Sequence, residues 1–206
     1  MDQSATWLAY LIPALYVAGS YLLGSIPTGL WLGLYFRGVD IRKQGSCNIG
    51  ATNTFRVLGK GFGLAALVGD VLKGWIPVTL AAQFMASGWP WLPLLCGISA
   101  VLGHTFSIFL LFRGGKGVAT GTGVYLALAP MPTLIAAVVF AIACGATRMV
   151  SVGSISAAAV LAVTVLVLPG MALPVKIVTP LLAALVIWKH RTNIRRIIEG
   201  KENRIF

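Results

Sequence analysis

Residues 151–168 read SVGSISAAAVLAVTVLVL, an uncharged apolar stretch that decides the fold class of this chain. An α-helix rises about 1.5 Å per residue, so roughly 20 residues of this kind cross the hydrocarbon core of a bilayer. The whole chain shares this character, because 58% of its 206 residues are hydrophobic and only 10% are charged. Soluble domains carry about 25% charged residues. The sequence therefore predicts an all-α integral membrane protein and excludes a disordered chain.

Further apolar regions lie on both sides of this stretch. They are residues 7–24 with a less regular continuation to 36, then 62–85, 92–112, 117–147 and 174–188. The region 117–147 is long for one span, and its prolines, Pro130 and Pro132, interrupt helical hydrogen bonding. Splitting it there predicts about seven transmembrane helices, of which the fourth, 118–128, is short.

Charge placement predicts how these helices are oriented. The chain has 16 Lys and Arg residues against 5 Asp and Glu residues, a net charge of +11. Most of the basic residues fall in 36–63, in 113–117, at Arg148 and in the tail from Lys189. Lys and Arg favour cytoplasmic loops, so we expect all four basic stretches on the cytoplasmic side of the membrane. An odd number of spans allows this arrangement. We therefore expect the N-terminus outside, the C-terminus in the cytoplasm, and one transmembrane domain over residues 1–206.

The first basic loop, residues 45–60, reads GSCNIGATNTFRVLGK. Its short hydrogen-bonding side chains are Ser46, Asn48, Thr52 and Asn53. If Thr52 or Asn53 caps a helix, Arg56 lies one turn inside it, and the amides at the helix start together with this Arg form an anion site. A polar interfacial turn whose side chains only cap helices explains the same residues. The glycine spacing matches neither a Walker A loop nor a dinucleotide fingerprint.

The second basic loop, RGGKG at residues 113–117, directly follows an apolar region. Its glycines, Gly114, Gly115 and Gly117, expose backbone amides, and Lys116 is a mobile charge suited to phosphate. A positive anchor with a tight glycine turn is an equally good interpretation of this loop.

Three titratable residues lie inside apolar regions. His104 is expected to pack between helices as a hydrogen bonder more than to act as a catalytic base. Asp70 and Lys73 are one helical turn apart, and charges inside a bilayer are usually paired. We expect this pair to satisfy itself, with a place in the lining of a site as the alternative.

The third basic segment, WKHRTN at residues 188–193, ends the last apolar region. Lys189 and Arg191 are typical headgroup anchors. His190 and Asn193 are three residues apart and share a helix face, from which both side chains can reach a ligand.

Taken together, these stretches resemble the bacterial membrane acyl-phosphate:glycerol-3-phosphate acyltransferases, the PlsY family. The matching text is GSIPTG from residue 24, VDIRKQGSCNIGATNTFRVLGKGFG from 39, LGHTFSIFLLFRGGKGVATG from 102, RMVSVGSI from 148 and WKHRTNIRR from 188. The likeness runs through essentially the whole chain. Departures are few: Cys47 replaces a usual glycine, Arg113 a frequent lysine, and Ser107 a common proline.

The resemblance implies a specific reaction. An acyl group moves from acyl phosphate to the 1-hydroxyl of sn-glycerol 3-phosphate, which gives 1-acylglycerol 3-phosphate (lysophosphatidate) and phosphate. This is the first acylation of phospholipid synthesis, and we expect it at the cytoplasmic face of the bacterial inner membrane. The implied partners are the two substrates and membrane lipid, with no nucleic acid, cofactor or metal.

The same resemblance, with the chemistry of the residues, gives a candidate site. One phosphate is expected to contact Ser46, Asn48, Thr52, Asn53 and Arg56. The other is expected at Lys116 and the amides of Gly114, Gly115 and Gly117. His190 and Asn193 are expected to orient the glycerol part, and Ser46, Arg56, Lys116 and His190 are the candidate catalytic residues. We expect all of them to meet at the inner leaflet in one cationic pocket.

The sequence shows no conventional set of nucleophile, base and acid. An acyl phosphate is already activated, so alignment and charge stabilisation suffice for transfer, with the departing phosphate as proton acceptor. A transporter or flippase of phosphate esters is the alternative function, although the outer connections are uncharged and the spans have few polar residues to line a path. A CDP-alcohol phosphotransferase needs an aspartate cluster for metal, which 5 scattered acids do not supply.

Overall fold

The computed structural model describes residues 3–84 and 88–205, and within these ranges the regular structure is entirely helical. The α-helices are α1 (Gln3–Ser25), α2 (Thr28–Arg37), α3 (Ala51–Leu58), α4 (Lys60–Ala82), α5 (Leu92–Thr105), α6 (Val118–Leu128), α7 (Pro130–Thr147), α8 (Val150–Val167), α9 (Leu173–Lys189) and α10 (Arg191–Ile198). Short 3-10 turns occur at Ile41–Lys43 and Ile108–Leu110. The prediction of an all-helical fold is confirmed.

The chain divides into two compact units, one through Leu128 and one from Ala129. In the first unit α1 packs against α5, and α4 packs against α3, α5 and α6. Gly74 of α4 faces the Thr120 carbonyl, and Gly123 of α6 faces the Val71 carbonyl so closely that a side chain would overlap it. Small residues permit such close approach between membrane helices. The expectation of a single domain stays a prediction.

The second unit is built around α8, which packs against α7 and α9. The α7–α8 connection turns at Arg148, which has a left-handed backbone with φ of 61°. The tail beyond α10 returns to this connection, where the Ile205 amide donates to the Arg148 carbonyl over 2.9 Å.

Four helical segments in the described ranges are long and apolar enough to cross a membrane: Lys60–Ala82, Leu92–Leu110, Pro130–Thr147 and Val150–Val167. Two bent pairs raise this number to six if each is one span, namely Tyr10–Ser25 with Thr28–Arg37 and Leu173–Lys189 with Arg191–Ile198. The predicted break before Pro130 is confirmed, because α6 ends at Leu128 and α7 begins at Pro130. The number of crossings and the orientation of the termini stay predictions.

The first apolar region bends by 48° between α1 and α2. The bend falls at Ile26 and Pro27, where proline lacks an amide donor and restricts the residue before it. This break places the start of α2 beside α4, and the neighbouring Gly69 lies against Thr28.

Candidate active site

The first basic loop is organised by the amide side chain of Asn53, which is 1% exposed. Its Oδ1 accepts the Ser46 amide over 2.7 Å, and its Nδ2 donates to the carbonyls of Ile41 at 2.8 Å and Gln44 at 3.1 Å. Both side-chain donors of Asn53 are therefore committed to the loop backbone. In this structure Asn53 therefore holds the loop that carries Ser46, and its contact with a phosphate stays a prediction.

The start of α3 also differs from the prediction. Thr52 and Asn53 were expected as possible helix caps, but α3 begins at Ala51 and its cap position is Gly50, which lacks a side-chain cap. Asn48 turns the chain into this helix, because its Oδ1 accepts the Gly50 amide over 2.9 Å. Such a turn is a frequent local use of an Asn side chain. Thr52 lies in the first turn of α3 and is half-buried.

Two residues of this loop have left-handed backbones, Gly45 with φ of 61° and Cys47 with φ of 57°. At Gly45 a side chain would overlap Oδ1 of Asn53. At Cys47, where the resembling family usually has glycine, an L-residue in this conformation costs about 1 kcal/mol. Cys47 therefore adds strain to the loop, and its side chain is exposed.

The two basic loops of the first unit pack on one hydrophobic cluster. Leu30, Ile41, Ile49 and Leu110 are buried together, with Val39, Val57 and Leu58 packed around them. Leu110 belongs to the segment that leads into residues 113–117, whereas Ile41 and Ile49 flank the loop of Ser46 and Asn48. Arg56 is exposed on α3 and Lys116 is half-buried. The segments that carry these two cations therefore pack against the same hydrophobic cluster.

The glycines of the second loop use their amides within the protein. The Gly114 amide donates to the Thr105 carbonyl at 3.2 Å, and the Gly115 amide donates to the His104 carbonyl at 2.9 Å. Each of these two amides has a carbonyl acceptor in this structure, and their binding of phosphate stays a prediction. The two hydrogen bonds fold the chain back onto the end of α5 and so fix the backbone position from which the Lys116 side chain extends. Gly117 has φ of 81°, a conformation that favours glycine.

The charges inside the helices are paired, as predicted. Nζ of Lys73 lies 2.8 Å from Oδ1 of Asp70. Oγ1 of Thr28 donates to the same carboxylate oxygen over 3.0 Å, and Nζ of Lys73 donates to the Ile26 carbonyl over 2.7 Å. His104 is buried beside them, with Nδ1 3.9 Å from Oδ1 of Asp70.

In the second unit His190 and Asn193 are both buried, at 2% and 4% exposure. His190 follows the last residue of α9, and its Nδ1 lies 2.8 Å from the Val186 carbonyl. Because a carbonyl only accepts, Nδ1 carries the proton there, and Nε2 is the acceptor of the neutral ring. The amide of Asn193 donates to Oε1 of Glu202 over 2.6 Å.

Glu202 is the centre of a cluster that the sequence analysis missed. Besides the Asn193 amide, it accepts from Oγ of Ser151 at 2.8 Å and from Nε of Arg196 at 2.8 Å. Burial disfavours the charged form, but the hydrogen bonds from Asn193 and Ser151 and the pairing with Arg196 outweigh it. The pKa of Glu202 therefore lies below its ordinary value. An acidic residue within a basic tail was the signal available in the sequence.

The acid nearest the first loop, Asp40, is tied to its neighbour Arg42. Nε and Nη2 of Arg42 donate to the two carboxylate oxygens over 2.9 and 2.8 Å. The hydrogen bond from the Arg42 side chain lowers the pKa of Asp40 to about 2. Asp40 is thus an ionised partner of Arg42 and is unsuited to accept a proton near neutral pH.

Comparison with known proteins places this geometry in a family. Residues 14–200 match the family model described as glycerol-3-phosphate acyltransferase. The chain belongs to this glycerol-3-phosphate acyltransferase family. It is 53% identical to the glycerol-3-phosphate acyltransferase of Geobacter metallireducens over 94% of this chain and 98% of that protein. The corresponding enzyme of Trichlorobacter lovleyi is 49% identical over 92% of this chain and 95% of its own length.

Solved structures agree with the family. The crystal structure of PlsY (YgiH), an integral membrane glycerol 3-phosphate acyltransferase, in its glycerol 3-phosphate form superposes with a TM-score of 0.87. The identity is 37%, over 94% of this chain and 96% of that one. The lysophosphatidic acid form gives a TM-score of 0.84 at the same identity, over 94% and 95% of the two chains. The resemblance to the PlsY family is confirmed, and the chain is an acyltransferase.

Proposed function

We propose that this glycerol-3-phosphate acyltransferase takes its acyl group from acyl phosphate and transfers it to the 1-hydroxyl of sn-glycerol 3-phosphate. The products are 1-acylglycerol 3-phosphate and inorganic phosphate, and the reaction is the first acylation of phospholipid synthesis. The observation that supports this most is the hydrophobic cluster on which two loops pack together, because each loop has a cation suited to phosphate. Two phosphorylated reactants match two cationic segments better than a single phosphate ester does.

In the first unit, the proposed ligands of one phosphate are Ser46, Asn48, Thr52 and Arg56. The proposed ligands of the other are Lys116 and the amide of Gly117. Asn53, Gly114 and Gly115 support these residues through the backbone contacts described above. The assignment of each substrate phosphate to one of the two sets stays open.

His190 and Asn193 are the proposed contacts to the glycerol part. With Nδ1 of His190 donating to the Val186 carbonyl, the ring has a fixed orientation and a single acceptor nitrogen. Asn193 is held by Glu202, so its side-chain amide has a defined orientation. Such fixed polar groups suit a substrate whose hydroxyl must be aligned with the acyl carbon.

The proposed transfer balances without an acyl-enzyme. The 1-hydroxyl oxygen attacks the acyl carbon, the bond from that carbon to the phosphate oxygen breaks, and inorganic phosphate leaves with the electron pair. The phosphate takes up the hydroxyl proton. Arg56 and Lys116 stabilise the charge that moves onto the leaving phosphate, and fixed groups of this kind often supply the largest part of the rate enhancement.

Release of phosphate by purified protein in detergent tests the proposal. The enzyme should release phosphate from acyl phosphate only when glycerol 3-phosphate is present, and acyl-CoA or acyl carrier protein should not replace the donor. Activity with acyl-CoA or acyl carrier protein as efficient donor would overturn the assignment of acyl phosphate. A transporter would need two compartments and would release no phosphate in detergent. We also propose the bacterial inner membrane, with the active site facing the cytoplasm, as the location.

A further inference from the structure

The Asp70–Lys73 pair on α4 is almost completely buried. The two side chains are 1% and 4% exposed and 2.8 Å apart. Replacing a buried ion pair with apolar residues of similar size is often neutral or stabilising, so such a pair is weak evidence for a purely stabilising role. We therefore infer the role of the pair from the residues that it contacts.

On one side the pair holds the break between α1 and α2. Lys73 donates to the Ile26 carbonyl over 2.7 Å, and Thr28 donates to Asp70 over 3.0 Å. Ile26 and Thr28 flank Pro27 at the 48° bend. Irregular backbone in a membrane helix must find partners within the protein, and α4 supplies them here.

On the other side the pair meets His104, which supports the turn before Lys116. Nδ1 of His104 lies 3.9 Å from Oδ1 of Asp70. The carbonyl of His104 accepts the Gly115 amide over 2.9 Å, and a side chain on Gly115 would overlap Nε2 of the ring. One ring nitrogen thus faces Asp70 and the other faces the glycine that precedes Lys116.

We propose that Asp70, Lys73 and His104 are positioning residues that set the placement of Lys116. In this proposal the Asp70 carboxylate orients the His104 ring from 3.9 Å, the ring and its carbonyl hold Gly115, and Gly115 fixes the origin of the Lys116 side chain. The inference rests on the proposed function, in which Lys116 binds phosphate. A displacement of about 1 Å in a catalytic group can lower a rate about 100-fold, so loss of this support should lower the reaction rate.

A double-mutant cycle tests the proposal. Asp70→Asn with Lys73→Met removes both charges together, so neither is left buried without its counter-ion. Kinetics of phosphate release are measured for the original chain, for this variant, for Lys116→Ala and for the combination. We expect the charge-free variant, once shown to be folded, to lose about tenfold in kcat/KM. Lys116→Ala should cost about 100-fold alone but about tenfold or less in the charge-free background.

Ser99→Ala is the matched control, because it removes an interhelical hydrogen bond of 2.9 Å, from Ser99 of α5 to the Val17 carbonyl, away from this network. Its effect should add to that of Lys116→Ala. If the charge-free variant does not fold, His104→Asn keeps the ion pair, removes the ring end against Gly115, and takes its place in the cycle. Additive effects in the cycle, or full kcat/KM in the folded charge-free variant, would overturn the proposal. If Lys116→Ala alone costs nothing, the proposed function of Lys116 fails instead.

Discussion

Two polar centres organise the two units of this acyltransferase by different means. The loop of the first unit is held by a neutral amide, Asn53, through three hydrogen bonds to backbone atoms. The tail of the second unit is held by a carboxylate, Glu202, which accepts from Ser151, Asn193 and Arg196. A neutral amide does not titrate, whereas a carboxylate does. The comparison therefore predicts that a fall in pH weakens the second centre and spares the first.

Glu202→Ala should give the largest loss of stability. It removes three accepted hydrogen bonds and leaves the half-buried Arg196 without its counter-ion. Losing one partner of a buried pair costs about 3–5 kcal/mol, and the free energy of unfolding should fall by an amount at the low end of that range. Glu199→Ala is the control, since Glu199 pairs with exposed side chains, Arg195 and Lys201, and should cost under about 1 kcal/mol. Equal losses for the two variants would contradict the central role of Glu202.

Asn53→Asp should be the next largest effect, although the shape of the side chain is unchanged. The new carboxylate oxygen would face the carbonyls of Ile41 and Gln44, where the amide now donates. Two lost hydrogen bonds and the repulsion should lower the free energy of unfolding by about 2 kcal/mol. Asn48→Asp is the matched comparison, because Asn48 contributes only an accepting oxygen to the Gly50 amide. A small effect of Asn53→Asp would show that the loop does not depend on Asn53 as a donor.

The pH dependence separates the two centres further. The pKa of Glu202 is lower in the folded state than in the unfolded state, so its stabilisation is complete above the unfolded pKa of about 4.3. It is lost as the pH falls through the lower folded pKa. Thermal unfolding followed from neutral to acidic pH should show a steeper loss in the original chain than in Glu202→Gln. Parallel curves would mean that Glu202 has an ordinary pKa.

Cys47→Gly should have the smallest effect and the opposite sign. Glycine relieves the left-handed strain of about 1 kcal/mol but adds entropy to the unfolded chain, so stability should rise by less than about 1 kcal/mol. Cys47→Ala removes the same thiol, keeps the strain, and should not stabilise. Thermal unfolding of the two variants side by side measures the difference, and a gain for alanine as large as that for glycine would disprove the strain.

Much of the fold follows from hydropathy, because each apolar region needs only local information to form a helix. The break before Pro130 and the Asp70–Lys73 pair are likewise local features of spacing. The backbone partners of Asn53, Gly114 and Gly115 were not predicted, for a physical reason. A polar group in a loop looks the same in sequence whether its partner is a ligand or a distant carbonyl, as that of Ile41 is for Asn53. Glu202 was missed because its partner Ser151 lies far away in the chain.

Steady-state phosphate release by Arg56→Gln and Lys116→Gln, with acyl phosphate and glycerol 3-phosphate, is the sharpest test of phosphate binding by the two basic loops. Each substitution removes one cation from the two loops that share the Leu110 core, and each should lower kcat/KM about 100-fold. Arg195→Gln is the control for loss of charge, since its side chain is 83% exposed, and it should stay within about twofold. Full activity in either loop variant, with the protein folded, would contradict the claim that these two loops bind the phosphates of the reactants.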